Sequence, residues 1–148
     1  MRPVVALTLA ALAVALVFVL AGMWLFPADV VSGHYKTIQE AHADRFIERG
    51  WLPDKLPPST HDISWSNNLD VNTSNGRFRF EPAEFELLRQ QLSPYSRTRN
   101  PPATLTDEVD SHVRRGYPAL QYVDDGSVWV FMCKPAEGIC NYTMWEER

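Results

Sequence analysis

Oxygen-bearing side chains recur at the spacing of a calcium-binding loop in one short segment, DVNTSNGRFRFE. Calcium loops take ligands from positions 1, 3 and 5 and close with a bidentate carboxylate at position 12. Those positions are held here by Asp70, Asn72, Ser74 and Glu81. The four residues are therefore candidate calcium ligands, and a calcium-stabilised module is one interpretation of the chain.

The context of this segment favours a β-hairpin over a metal site. Loop position 6 is Asn75 rather than glycine, and loop position 8 is the cation Arg77. The alternating sequence RFRF at residues 77–80 is typical of a half-buried strand. Because Asn-Gly is a common hairpin turn, we predict a hairpin whose tip is Asn75-Gly76, and no bound metal or cofactor.

Two other groups of residues bear on catalysis. Ser59, His61 and Asp62 have the residue types of a hydrolase triad, but sequence neighbours seldom face one another as triad residues do. Hydrolysis of envelope glycans by paired carboxylates is the alternative, with Asp62, Asp70 and Glu81 as its candidates. The sequence contains no phosphate-binding loop, serine-hydrolase or zinc-protease motif. We therefore predict a protein that is not an enzyme.

The two cysteines, Cys133 and Cys140, lie in the segment CKPAEGIC. Their spacing is not that of a redox CxxC pair, and no second pair of Cys or His residues completes a zinc site. Both follow a segment expected to direct export, and disulfides persist outside the cytoplasm. We predict a disulfide across a β-hairpin, which stabilises the fold by about 2 kcal/mol because the ring is short.

An uncharged apolar run of 23 residues extends from Val4 to Phe26. As a helix it measures about 34 Å, enough to cross a bilayer core of about 30 Å. Arg2 precedes the run and Asp29 is the first charge after it, which places the N-terminus in the cytoplasm and the rest outside. The run predicts an inner-membrane signal-anchor. A signal peptide cleaved after Ala21 is the alternative.

The chain is therefore divided into four parts: a cytoplasmic N-terminus (1–3), a transmembrane helix (4–26), a linker (27–34) and a periplasmic domain (35–148). Without Arg2, 13 basic and 18 acidic residues remain, a net charge of −5. This balance argues against nucleic acid or an anionic lipid surface as a partner. The expected partners are the lipid bilayer, through residues 4–26, and another envelope protein.

Periodicity in the exported part predicts an α+β domain. Helices are expected at residues 36–49, from Glu81 onward and at 106–115, and strands at 61–66, 77–80, 119–123, 127–133 and 140–145. The predicted architecture is an antiparallel sheet of about five strands packed on two to three helices, preceded by one transmembrane helix. The strand at 127–133 is apolar on both faces, so we expect it to be central and covered on both sides.

The polar loop SPYSRTRNPPAT, at residues 93–104, is long for a simple connection. It contains Tyr95, Arg97 and Arg99, and aromatic and arginine side chains dominate binding hot spots. We predict that these three residues bind a partner.

One stretch resembles a known pattern. The sequence LPPS at 56–59, then Ile63, then DVN at 70–72 before the aromatic strand, is similar to the LPxS…I…DxN-type motif of an uncharacterised family of small bacterial envelope proteins. The resemblance implies a bacterial source and a periplasmic domain, and no particular activity. The sequence thus predicts a membrane-anchored periplasmic interaction module without catalytic activity, whose more specific form is an immunity-type inhibitor of a toxin or envelope hydrolase.

Overall fold

The computed structural model describes residues 29–98 and 100–147. The expected transmembrane segment and Arg99 lie outside these residues. Within the described ranges, no helix is long and apolar enough to cross a membrane.

A seven-stranded antiparallel sheet forms the body of the domain, in the order β1-β2-β3-β7-β6-β5-β4. The α+β class is confirmed, and the sheet has two strands more than the predicted five. The strands are β1 Val30–Thr37, β2 His61–Asn68, β3 Thr73–Arg79, β4 Ser93–Pro94, β5 Ala119–Asp124, β6 Ser127–Lys134 and β7 Ile139–Glu146.

The two additional strands are the two edges of the sheet. β1 pairs only with β2, begins inside the segment predicted to be a linker, and exposes most of its side chains on both faces. An edge strand without a buried face has no apolar alternation, so its sequence does not show the strand pattern. β4 is two residues long and pairs with β5 inside the segment predicted to be a loop.

Among the described residues, three α-helices accompany the sheet: α1 Ile38–Ala43, α2 Phe85–Gln91 and α3 Leu105–Arg114. The first helix is much shorter than the predicted 36–49. Its start is as expected, since the Thr37 hydroxyl accepts from the Glu40 amide at 3.2 Å. Its end comes early because Arg45 adopts a left-handed backbone conformation (φ 56°), which a right-handed helix cannot contain.

Apolar side chains form a buried cluster on each face of the sheet. The first cluster includes Phe46, Ile63, Phe78 and Tyr142, and the second includes Leu105 and Val109 of α3. β6 alternates between them, because Trp129, Phe131 and Cys133 belong to the first cluster, and Val128, Val130 and Met132 to the second. The prediction that this strand is covered on both faces is confirmed.

The hairpin of β2 and β3 is present, but its turn is not at the predicted position. The turn spans residues 69–72, where the Asn68 side-chain oxygen accepts from the amides of Asp70 and Val71. Asn72 takes the left-handed conformation, with φ 48°. Asn75 and Gly76 lie inside β3. Glycine is required at position 76 because a Cβ atom there would lie 2.2 Å from the carbonyl oxygen of Ser64.

The antiparallel register gives the sheet two distinct ends. The Asp29 end, as named here, holds the start of β1, the turn at 69–72 and the turn at 125–126. The Arg79 end holds the end of β3, the start of β5 at Ala119 and the hairpin of β6 and β7 at Lys134 and Ile139.

Candidate functional site

A groove of about 640 Å³ opens between α3 and the β4–β5 pair, near the Arg79 end of the sheet. Its volume lies within the range of about 300–1,000 Å³ that is usual for binding pockets. Residues of α2, the Pro94-Tyr95 segment, α3 and the first part of β5 line it. We call it the Tyr95 groove.

α3 positions the wall of the Tyr95 groove. Leu105 and Val109 are buried against the sheet, and Val113, one turn further, lines the groove with 51% of its surface exposed. The helix ends beyond Arg114, and Gly116 (φ 85°) turns the chain back into β5. Ala119, which is buried in the second cluster with α3, forms part of the floor, and Leu120 also lines the groove although its side chain belongs to the first cluster.

Tyr95 contributes the opposite wall. Its amide donates to the carbonyl of Ala119 at 3.0 Å, which continues the short β4 ladder, and its ring packs against the second cluster. Its hydroxyl is buried and has no hydrogen-bond partner among the described residues. A buried hydroxyl without a partner is costly, and this one is closed off from solvent.

The rim of the groove is charged. Arg89 donates two hydrogen bonds to Glu86, at 2.8 and 2.6 Å, so its charge is largely compensated. Arg114 is exposed and forms no ion pair within the described part of the chain, and Asp110 lies one turn before it. Arg114 is therefore the cation that is available to a ligand in this groove.

The three residues predicted to bind a partner have different positions. Tyr95 lines the groove, Arg97 is exposed in the following segment but does not line it, and Arg99 is outside the described residues. Val113 and Arg114 were not predicted. Val113 continues the apolar spacing of Leu105 and Val109 along α3, and this continuation is the only sequence signal for it.

The four calcium candidates do not converge on one point. Ser74 is fully buried and its hydroxyl donates to Asn67 at 2.7 Å, while the Asn72 side chain donates to Glu146. Glu81 follows the far end of β3, about 23 Å from Ser74 along an extended strand. The Asp70–Glu81 spacing thus describes a turn and a strand, and within the described residues no group of three or more His, Cys, Asp or Glu side chains could hold a metal ion.

Of the three carboxylates proposed for glycan hydrolysis, Asp70 lies far from Asp62, whereas Glu81 is at the same end of the sheet as Asp62, two residues beyond Arg79. Asp62 lies at the start of β2 and Asp70 lies beyond its end, so the chain between them spans more than about 20 Å. Glycosidase carboxylates are about 5–9.5 Å apart. Asp62 and Asp70 cannot act together on one glycosidic bond.

Ser59, His61 and Asp62 do not form a triad. The Ser59 hydroxyl donates to the Glu84 carboxylate at 2.6 Å and accepts from the Glu81 amide at 2.9 Å. The His61 ring bonds the carbonyl of Ser59, not its hydroxyl, and Asp62 bonds a different histidine. These contacts join the end of the 52–60 connection to the start of the Pro82–Glu84 turn, which is a structural role.

Asp62 is held by two neighbouring strands. Its carboxylate lies 2.7 Å from the His34 ring nitrogen of β1 and 3.3 Å from the Arg79 guanidinium of β3. Its backbone is left-handed (φ 51°), at an irregularity in the β2–β3 ladder. The hydrogen bond from His34, with added attraction from His34 and Arg79, lowers the pKa of the Asp62 carboxyl below its ordinary value of 3.8.

Asp62→Asn is expected to reduce stability at pH 7 by less than about 1 kcal/mol, because the ion pairs are half exposed. The lowered pKa means that the charged form stabilises the fold above pH 3.8, and that this contribution disappears as the pH falls through the folded-state pKa. Urea midpoints at pH 7 and about pH 2 should therefore differ between variant and wild type only at pH 7. Asp70→Asn is the control. A difference in urea midpoint between Asp62→Asn and wild type that persists in acid would contradict the stabilising role of the charged Asp62 carboxylate.

The predicted disulfide is present. Cys133 and Cys140 face each other across β6 and β7, with their Cα atoms 4.1 Å apart, and both are fully buried. This pair is at the Arg79 end of the sheet, next to His112, whose ring donates to the Cys133 carbonyl at 2.9 Å.

Residues 29–79 match the family model described as the YbbD head domain. The match covers roughly a third of the chain and contains β1, α1, β2 and β3. It supports the resemblance to a small bacterial envelope-type family over the segment that includes residues 56–72, whereas the LPxS…DxN motif is not itself confirmed. No curated protein and no solved structure matches the chain.

Proposed function

We propose that the chain is a membrane-anchored periplasmic interaction module without catalytic activity, which binds a segment of another envelope protein in the Tyr95 groove. The single observation that supports this most directly is the groove itself, with a mostly apolar lining and an exposed Val113. An immunity-type inhibitor of a toxin or envelope hydrolase is the more specific form of this proposal.

The lining of the groove defines the chemistry of the partner segment. Val113, Ala119 and Val109 suit a bulky apolar side chain, whose burial is worth about 1.5–3 kcal/mol. Arg114 suits an acidic residue beside that side chain. The expected ligand is therefore a peptide segment with an apolar residue next to Asp or Glu.

Photocrosslinking in cells tests this proposal. A photoreactive phenylalanine replaces Val113, which lines the groove, or Val123, which is equally exposed (51%) on β5 but does not line it. We expect one discrete adduct with an envelope protein from position 113 and none from position 123. Equal adducts from both positions, or none from position 113, would refute the proposal.

A charge-reversal pair adds specificity to the experiment. Arg114→Glu should reduce the adduct from position 113 by more than about tenfold, because it places a carboxylate opposite the acidic residue of the ligand. Arg115→Glu is the matched control, since Arg115 is the next residue, is also exposed and does not line the groove. An equal loss of adduct in both variants would show that crosslinking depends on the net charge of the protein and not on Arg114 in the groove.

A further inference from the structure

Exposed apolar side chains are concentrated at the Asp29 end of the sheet. Seven large hydrophobic residues are exposed in the described part of the chain, and four of them lie at the start of β1 or in the 69–72 turn. They are Val30, Val31, Leu69 and Val71, with exposed fractions of 49%, 40%, 55% and 56%. We call these four residues the apolar patch. Such grouping marks a contact surface, since single exposed apolar residues are ordinary but groups of them are not.

The position of the apolar run limits what can cover this patch. The uncharged sequence ends at Phe26, and the three steps from there to Asp29 span at most about 11 Å. The Asp29 carbonyl in turn accepts from the Leu69 amide at 2.8 Å. If residues 4–26 cross the bilayer, Leu69 and Val71 must therefore lie close to its surface.

We propose that the apolar patch rests on the lipid surface, so that the domain sits on the bilayer in one preferred orientation; this rests on the anchored topology proposed above. Val30, Val31, Leu69 and Val71 enter the interfacial region, which suits apolar side chains. Asp29 and Asp70 are sequence neighbours of these residues, and Asp125 lies at the same end of the sheet. The lipid in contact is therefore zwitterionic, because these carboxylates repel anionic headgroups.

The contact is weak in itself and depends on the anchor. Four partly exposed side chains bury too little area to hold a free domain on a membrane. A short tether raises their effective concentration at the surface to about the millimolar range, where a weak contact is populated.

This orientation places the Tyr95 groove away from the membrane. β5 runs from Ala119, in the groove floor, to Asp124, at the Asp29 end, a distance of about 16 Å along the strand. A partner in the periplasm can therefore reach the groove while the patch is on the lipid.

Paramagnetic relaxation enhancement, measured by NMR, tests the contact between the apolar patch and lipid. The sample is the full-length chain in phosphatidylcholine nanodiscs that contain nitroxide-labelled lipid. The methyl signals of Leu69 and Val71 should lose most of their intensity. The methyl signals of Val113, which is as exposed but lies near the other end, should keep theirs. Equal loss at Val71 and Val113, or loss at neither, would overturn the proposal.

Variants separate lipid contact from anchoring. Leu69→Ser with Val71→Ser should reduce the loss at Val30 and Val31 several-fold while the protein still co-elutes with the nanodiscs. Leu87→Ser, on the exposed side of α2, should not reduce the signal loss at Val30 and Val31.

Anionic lipid in the nanodiscs should weaken the contact, and a stronger contact would refute the proposed lipid charge. A chain that does not co-elute with nanodiscs would overturn the anchor and the lipid contact together, whereas co-elution without selective loss would overturn the contact alone.

Discussion

Gly76→Ala is expected to destabilise the domain by about 3 kcal/mol or more. A Cβ atom at this position in β3 would lie 2.2 Å from the Ser64 carbonyl oxygen and 2.6 Å from the Tyr142 ring. Ser64 belongs to the neighbouring strand, and Tyr142 is buried with its hydroxyl near Ser74. Neither can move without breaking the β2–β3 ladder or the first cluster. Equilibrium urea denaturation measures the change.

Gly116→Ala is the control for this substitution. Gly116 has φ 85°, and its Cβ position has nothing within 4 Å, so alanine there adds only the left-handed strain of about 1–2 kcal/mol. A loss at Gly76 that is no larger than the loss at Gly116 would show that β2 and β3 can separate to accept the methyl group. It would also mean that close packing does not explain why glycine is found at position 76, inside β3 and not in the turn.

Removal of the disulfide should cost about 2–3 kcal/mol. The double variant Cys133→Ala, Cys140→Ala opens a short ring, with a sequence separation of seven residues, and so restores chain entropy to the unfolded state. It also removes two fully buried sulfur atoms from the first cluster. The free energy of unfolding in urea is the measurement.

Reduced wild-type protein separates the two causes of that loss. Reduction restores chain entropy but keeps both sulfur atoms in the cluster, so it should cost less than the double alanine variant. If the reduced protein is as stable as the oxidised one, the bond does not constrain the unfolded chain as the ring length implies. If the double variant is unaffected, the pair contributes neither packing nor constraint.

Every strand that the sequence predicts has at least one buried face. Ile63 of β2 and Phe78 of β3 are fully buried, as their alternation predicts, and β6 has the uninterrupted apolar sequence of a strand covered on both sides. β1 could not be found in this way, because an exposed edge strand has no apolar period. The predicted turn at Asn75-Gly76 is wrong because that pair is a strong local turn signal, and only the contacts with Ser64 and Tyr142 show why glycine is needed inside β3.

The candidate site was partly visible in the sequence. The sequence indicates Tyr95 because it is an aromatic residue in a long polar loop, whereas the pattern around Val113 and Arg114 is typical of ordinary surface residues of a helix. Their part in a groove depends on how α3 lies over β5, which brings residues 95, 113 and 120 together. No local pattern specifies that arrangement.

The disulfide, the α+β class and the central strands can be predicted from the chain alone, because each follows from local spacing or from the apolar pattern of a single strand. The number of strands, the partners of Asp62 and the distance between Asp62 and Asp70 depend on tertiary contacts. The Tyr95 groove and the apolar patch at the Asp29 end depend on them as well. Edges, grooves and surface patches are formed by residues distant in the chain, and their contacts leave no period in the sequence.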